Sequence, residues 1–298
     1  GVHIVDSILL DDLINYIDWT PFFNAWELRG TYPKILKDKK VGEQAQILFD
    51  EGNTLLNEIV SDKIISIHGV YGIFPANSKD EMITIYSDES RTEVLEKLVH
   101  IRQQMNKGEN RNNYCLADFI TCSERDTNDW MGAFAVMVGP EIKSLCEEYE
   151  AAHNDYSAIM LKVLADRLAE AFAEKLHYEI RKNIWGYELH ENLTNDELIK
   201  EKYIGIRPAP GYAACPDHTE KGKLFELLNV EKNIGLKLTE NFAMDPVSAV
   251  SGWYFSHPKS IYFSTGKIKQ DQIELISKAK NWDKQITEKW LATILEYK

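Results

Sequence analysis

The longest run of regular hydrophobic spacing lies between about residues 154 and 185. Leu161, Leu164, Leu168, Phe172, Leu176, Ile180 and Ile184 recur every three or four positions, which on a helix aligns them in one buried stripe. Ala165, Ala169 and Ala173 form a row of small side chains beside it, allowing close approach of another element. The spacing predicts a long central helix. Near the start, Ile8, Leu9, Leu13 and Ile14 share a face and predict a helix over 6–16. It is expected to stop at Asp18-Trp19-Thr20-Pro21-Phe22-Phe23, since a proline pushes the residue before it out of helical geometry. A further helix is expected over about 41–60.

Three stretches rich in β-branched and aromatic residues read as strands: Ile64 to Tyr71, Met82 to Tyr86 and Met131 to Val138. Pro75 to Asp80, between the first two, reads as a turn. Thr194-Asn195-Asp196-Glu197 has the capping-box spacing and predicts a short helix through Glu201. Asp217 to Glu220 can cap another helix over Phe225 to Val230. Gly252 to His257 and Ser260 to Phe263 read as strands around a turn at Pro258, and helices over Asp271 to Lys280 and Thr287 to Tyr297 close the chain. Strands and helices mixed without regular βαβ alternation indicate an α+β fold.

At 298 residues the chain is near the size limit of one core, so one large or two intimate domains are expected. A formal net charge of −13, with no run of lysine or arginine, opposes nucleic-acid binding. No stretch of 18 apolar residues is present, so no membrane partner is expected. Cys115, Cys122, Cys146 and Cys215 show no paired spacing, and reduced thiols in a cytoplasmic protein are the simple reading. The N-terminus lacks the features of a signal peptide. Its first residue is glycine, which hints at an excised or tagged fragment.

Glycine-rich phosphate loops are missing, as are HExxH and GxSxG, and the eight histidines are scattered. Neither a protein-held metal nor a nucleophilic catalyst is expected. Four features remain. The segment Arg207-Pro208-Ala209-Pro210-Gly211-Tyr212 joins an arginine, whose fork of donors suits a carboxylate, to two stiffening prolines and a glycine that allows close backbone approach. A surface turn with a solvated arginine is the plain alternative. Asp166, Glu170 and Glu174 lie four apart, roughly opposite the leucine row, as a solvated acidic face or a set containing one ligand carboxylate. Asp18 is either a helix-ending acid or a carboxylate fixed on a rigid turn. Tyr262 and Phe263 read as core of a strand, facing opposite sides, though one ring could line a pocket.

Residues become specific at IDWTPFF, FPAN, CLADF, LADRLAEAFAE, GIRPAPGYAACPDHTEK, LTENFAM and SGWYFSHP. Together, from about Asp11 to Tyr297, they resemble the activation domain of cobalamin-dependent methionine synthase. The resemblance implies a C-shaped α+β module with long central helices and a twisted antiparallel sheet. It further implies S-adenosylmethionine binding through an RxxxGY motif, here Arg207, Gly211 and Tyr212. By the same resemblance Arg207 takes the ligand carboxylate, the backbone from Ala209 to Gly211 meets the adenine, and Asp18 takes the amino group. Glu170 is a further ligand carboxylate and Tyr262 an aromatic site residue. Phe263 stands where the family has a second tyrosine.

The implied role is reductive remethylation of inactive cob(II)alamin, restoring an enzyme that makes methionine from homocysteine and methyltetrahydrofolate. The electron would come from flavodoxin or a diflavin reductase. Cobalamin would sit on a neighbouring module, since no DxHxxG motif occurs here, and zinc would belong to a homocysteine module also missing from the chain. Residues 1–298 are thus expected to be one activation module, part of a methyltransferase but inactive alone. The alternatives are a stand-alone partner of a split or different corrinoid enzyme, or a non-catalytic docking domain.

Overall fold

A computed structural model describes residues 1–108, 111–125 and 127–297. Strand β1 (Val2–Val5) leads into a single helical turn, α1 (Leu10–Leu13), which tightens to a 3-10 turn ending at Tyr16. The helix expected over 6–16 is therefore shorter than its hydrophobic face suggested. Helices α2 (Thr20–Ala25) and α3 (Gly42–Ser61) follow. Pro21 opens α2 instead of ending a helix. It occupies the first turn, where the N–H that proline lacks would have no intrahelical partner anyway.

Strand β2 (Ile67–Lys79) runs through the stretch expected to turn at Pro75 to Asp80, and the reversal comes just after it, before β3 (Met82–Tyr86). An unanticipated strand β4 (Val94–Val99) and the long β5 (Asp129–Val138) complete this part. β2 pairs with β5 from Ile67↔Val138 to Ala76↔Asp129. Its other edge is shared: Gly69 to Gly72 face β1, and Ala76 to Lys79 face β3. Pro75 falls in the gap between these partners. The Ser78 N–H donates to Thr121 on the β5 side at 2.9 Å, so two-residue alternation turns the Pro75 nitrogen toward the gap. No ladder bond is lost, and the strand continues.

Helix α4 (Glu141–Ala151) precedes the predicted central helix, α5 (Asp155–Glu179), which extends as a π turn over Ile180–Ile184. Asn154 caps α5 by accepting from the Ser157 N–H at 3.2 Å. Leu161, Leu164, Leu168, Phe172, Leu176 and Ile180 are all buried, each worth about 1.5–3 kcal/mol of transfer free energy. The capping box at Thr194 forms and starts α6 (Asn195–Ile199). The helix expected over Phe225 to Val230 begins earlier, as α7 (Glu220–Leu228), and breaks at Asn229, whose φ of 49° is left-handed, before α8 (Val230–Ile234). A two-strand ladder, β6 (Lys237–Leu238) with β7 (Met244–Asp245), leads to β8 (Ala249–Tyr254). Ser260 to Phe263 forms no strand. Helices α9 (Gln270–Lys280) and α10 (Lys284–Trp290) follow, with a 3-10 turn over Ala292–Ile294 in place of the rest of the expected last helix.

The main sheet is antiparallel throughout, ordered β4-β3-β2-β5-β8 with β1 beside β2. Phe134, Val136 and Val138 of β5 enter a core shared with α5 and the N-terminal helices, while Met131, Ala133, Ala135 and Met137 enter one shared with α7 and α8. Covering on both faces explains why β5 is apolar at almost every position, without alternation. The mixture of helices with an antiparallel sheet is the expected α+β class. Among the described residues, no helix is long and apolar enough to cross a membrane.

Candidate functional site

The RPAPGY segment is held as a strand-like extension along β8. Ile206 and Phe255 exchange both backbone hydrogen bonds at 3.0 Å, and the Trp253 N–H donates to the Pro208 carbonyl at 3.0 Å. This close approach requires glycine at 252, where a Cβ would meet the Pro208 carbonyl oxygen at 3.0 Å and the Phe134 ring at 2.9 Å. The loop then turns at Gly211, whose φ is +95° and whose Cβ would stand 2.4 Å from the His218 ring. Both facts restrict position 211 to glycine. The Gly211 N–H donates to the Cys215 carbonyl at 2.7 Å and closes the turn.

Two cavities meet at this loop. The larger, about 550 Å³, is lined by Phe134, Glu170, Glu201, Pro208, Ala209, Gly211, Tyr212, Tyr262 and Phe263 among others. The smaller, about 130 Å³, is lined by Tyr16, Asp18, Arg167, Glu170 and Glu174 among others. Glu170, Glu201 and Arg207 border both. Every candidate named from the sequence (Asp18, Glu170, Arg207, Ala209, Gly211, Tyr212, Tyr262 and Phe263) therefore lines one or other of two cavities that share a wall. A cavity of about 680 Å³ between the β3–β4 hairpin and α9 contains none of them.

Arg207 is the best-anchored of these residues. Its backbone N–H donates to the Tyr262 hydroxyl at 2.9 Å. Its Nη1 meets the Glu174 carboxylate at 2.7 Å, the Tyr203 hydroxyl at 2.9 Å and His177 Nδ1 at 3.2 Å. Burial alone would push the arginine pKa down, but Glu174 leads the interactions that hold it above its ordinary value. Burial, with Arg181 and Arg207 nearby, pushes His177 well below the usual imidazole range. It is thus neutral, and since arginine can only donate, Nδ1 accepts and the proton sits on Nε2. Burial also raises Tyr203 and Tyr262, which keep their hydroxyl protons.

Behind this layer lies a second ion pair. Arg181 is wholly buried and grips Glu191 through two bonds, at 2.6 and 2.8 Å. Its guanidinium lies 4.2 Å from the centre of the Tyr203 ring and 3.8 Å from Glu174 Oε1. Glu174 thus sits between two arginines.

Several expectations are corrected here. The acidic row on α5 is not one solvated face: Asp166 accepts from the Ser248 hydroxyl at 3.0 Å and lines neither cavity. Glu170 borders both cavities, and Glu174 is buried in the ion-pair cluster. The incoming 203–207 segment, whose position helical periodicity cannot reveal, covers the upper end of the row. Tyr262 and Phe263 do not point to opposite sides of a strand; in an irregular segment both line the larger cavity. Phe263 also packs on Tyr114, centroids 5.9 Å apart. Asp18 does not end a helix. Its Oδ1 accepts from the Thr20 N–H at 2.9 Å, at the entry to α2.

Sequence reasoning missed His177, Tyr203 and Glu201 as site residues. One available signal was the spacing of Glu174 and His177, three apart and so on one helix face. Another was that of Tyr203, four residues before Arg207. Among the described residues, no group of three or more histidine, cysteine, aspartate or glutamate side chains could hold a metal ion.

What the space can do follows from its lining. One end offers carboxylates around an arginine, suited to a zwitterionic head group, and the other offers aromatic rings and loop backbone, suited to a flat heterocycle. The family model described as "Vitamin B12 dependent methionine synthase, activation domain" matches residues 9–281. A crystal structure described as the MetH reactivation domain bound to AdoHcy is 51% identical, with a TM-score of 0.97, covering 100% of this chain and 91% of that one.

Proposed function

This chain belongs to the activation-domain family of vitamin B12-dependent methionine synthases, and from that premise we propose that it binds S-adenosylmethionine and presents its methyl group for reductive reactivation. The observation carrying this reading is the convergence of Asp18, Glu170, Arg207, the 209–212 loop, Tyr262 and Phe263 on two adjoining cavities that share Glu170, Glu201 and Arg207. The relative's ligand, AdoHcy, is what remains of S-adenosylmethionine once its methyl is gone, which supports the same occupant here.

In this reading the amino-acid head lies at the smaller cavity, with its ammonium toward Asp18 and its carboxylate on Arg207. The adenine lies along Ala209 to Gly211, near Tyr212 and Phe263. Glu170 and Glu201 face the intervening stretch and favour the positive sulfonium electrostatically. A cobalamin-bearing module, when docked, supplies the cobalt centre that accepts the methyl group. The chain's own contribution is to hold the sulfonium at a fixed angle and distance, an entropic gain that needs no acid, base or nucleophile. Flavodoxin or a diflavin reductase is the proposed source of the electron, in a cytoplasmic setting. By itself the chain would bind ligand without turning it over.

Isothermal titration calorimetry of the full chain with S-adenosylmethionine tests the reading. Saturable binding at one site per chain is the expected result. No heat of binding at millimolar ligand would overturn it.

A further inference from the structure

We infer that Glu174 is a positioning residue that aims Arg207 at the ligand, and so sets the preference of the site for a carboxylate-bearing head group. This rests on the reading of the cavity as an S-adenosylmethionine site. Three observations support it. Among the described residues, every polar contact of the Arg207 side chain falls on one nitrogen, Nη1: an ion pair to Glu174 and hydrogen bonds to Tyr203 and His177. With Nη1 so occupied, Nη2 and Nε have no protein partner among the described residues and are left for a ligand in the two cavities that the arginine borders.

The second observation concerns competition. Asp18, Glu170, Glu174 and Glu201 all line the two adjoining cavities, yet of these four carboxylates only Glu174 is ion-paired with Arg207 among the described residues. Glu174 also borders the smaller cavity, and its other oxygen, Oε1, lies 3.8 Å from Arg181. Were Glu174 uncharged, the guanidinium would be drawn toward Asp18, Glu170 and Glu201 and would close the space that a ligand carboxylate needs. The third is rigidity. Glu174 is 6% exposed, and Arg181, locked on Glu191 and stacked over Tyr203, fixes its surroundings. Such an anchor lowers the ordering cost of binding.

The test compares two probes on the full chain: S-adenosylmethionine, and its decarboxylated form, which keeps the adenosine, sulfonium and ammonium groups. The wild type is expected to favour the first by about tenfold or more, as for hydrogen bonds between charged groups. Glu174→Gln removes the charge at nearly constant shape and is expected to bring that ratio close to unity. Because Glu174 also borders the cavity that takes the ammonium, the variant should weaken the decarboxylated probe too, but by less than S-adenosylmethionine. Glu174→Asp keeps the charge but draws it back by about 1.5 Å, and should lower the ratio less. General loosening of the fold would weaken both probes alike and leave the ratio intact, so the ratio separates aiming from stability. Should Glu174→Gln fail to fold, as judged by circular dichroism, the aspartate variant decides alone. A folded variant with the wild-type ratio overturns the inference. Failure of the wild type to bind either probe would instead sink the ligand assignment beneath it.

Discussion

Arg207 concentrates the chemistry of the site in one side chain. Half-buried against three neutral or anionic partners, it is fixed before any ligand arrives. Replacing it with alanine should weaken S-adenosylmethionine binding by roughly 2 kcal/mol or more, the usual loss when one member of a buried charge pair is truncated. Calorimetric titration of Arg207→Ala beside the wild type measures this, and equal affinities would refute the role. The arginine was legible in the sequence because its loop is defined locally: two prolines and a left-handed glycine dictate a stiff backbone wherever they occur. Glu174 was not legible as its partner. Helical spacing places a carboxylate at an angle around α5 but does not say which loop will cross over it.

At the scale of elements, local signals worked where one element determines itself and failed where a neighbour decides. The α5 stripe from Leu161 to Ile180, the Thr194 capping box and β3 formed as expected, whereas Ile184, at the end of the π turn, is exposed and not part of the buried stripe. Pro75 was misread as a turn because its tolerance depends on a gap between β1 and β3, a fact of pairing and not of composition. Ser260 to Phe263 has strand-forming residues but no strand to pair with.

A long-range tie of the same kind joins α9 to the loop leading into α7. The Lys280 side chain is only 4% exposed and contacts Asp217 at 2.7 Å and Glu220 at 2.6 Å. Asp217 in turn accepts from the Thr219 N–H at 2.9 Å. Lys280→Met would strand two carboxylates away from water, at a cost of about 3–5 kcal/mol. Urea denaturation should show a lower midpoint of that order. A loss below about 0.5 kcal/mol, the usual range for a surface substitution, would contradict the assignment.

The whole molecule carries a pH dependence set by buried imidazoles. Burial holds His100 at about 3 from its ordinary value of 6.5, and His177 is pushed the same way. Both are neutral when folded, whereas the unfolded chain takes up protons below about 6.5. The unfolded state then binds more protons, so stability falls as the pH drops through that value toward about 3. The expected loss is about 2 kcal/mol for His100 alone between about pH 7 and about pH 5. Urea melts at both pH values should show His100→Asn losing less than the wild type. An equal loss would place the acid sensitivity elsewhere.

At this scale the family was legible from motifs spread along the chain, and the fold class from the order of elements. Which side chains would meet across the cavity was not, because Asp18, Glu170, Arg207 and Tyr262 come from four separate segments. The central claim is that these segments form one S-adenosylmethionine site. A crystal structure of the full chain grown with that ligand tests it most directly. Density for the carboxylate on the Nη2 and Nε edge of Arg207, with the adenine along Ala209 to Gly211, is the predicted result. Density for the ligand outside this space, or with its carboxylate away from Arg207, would contradict the account.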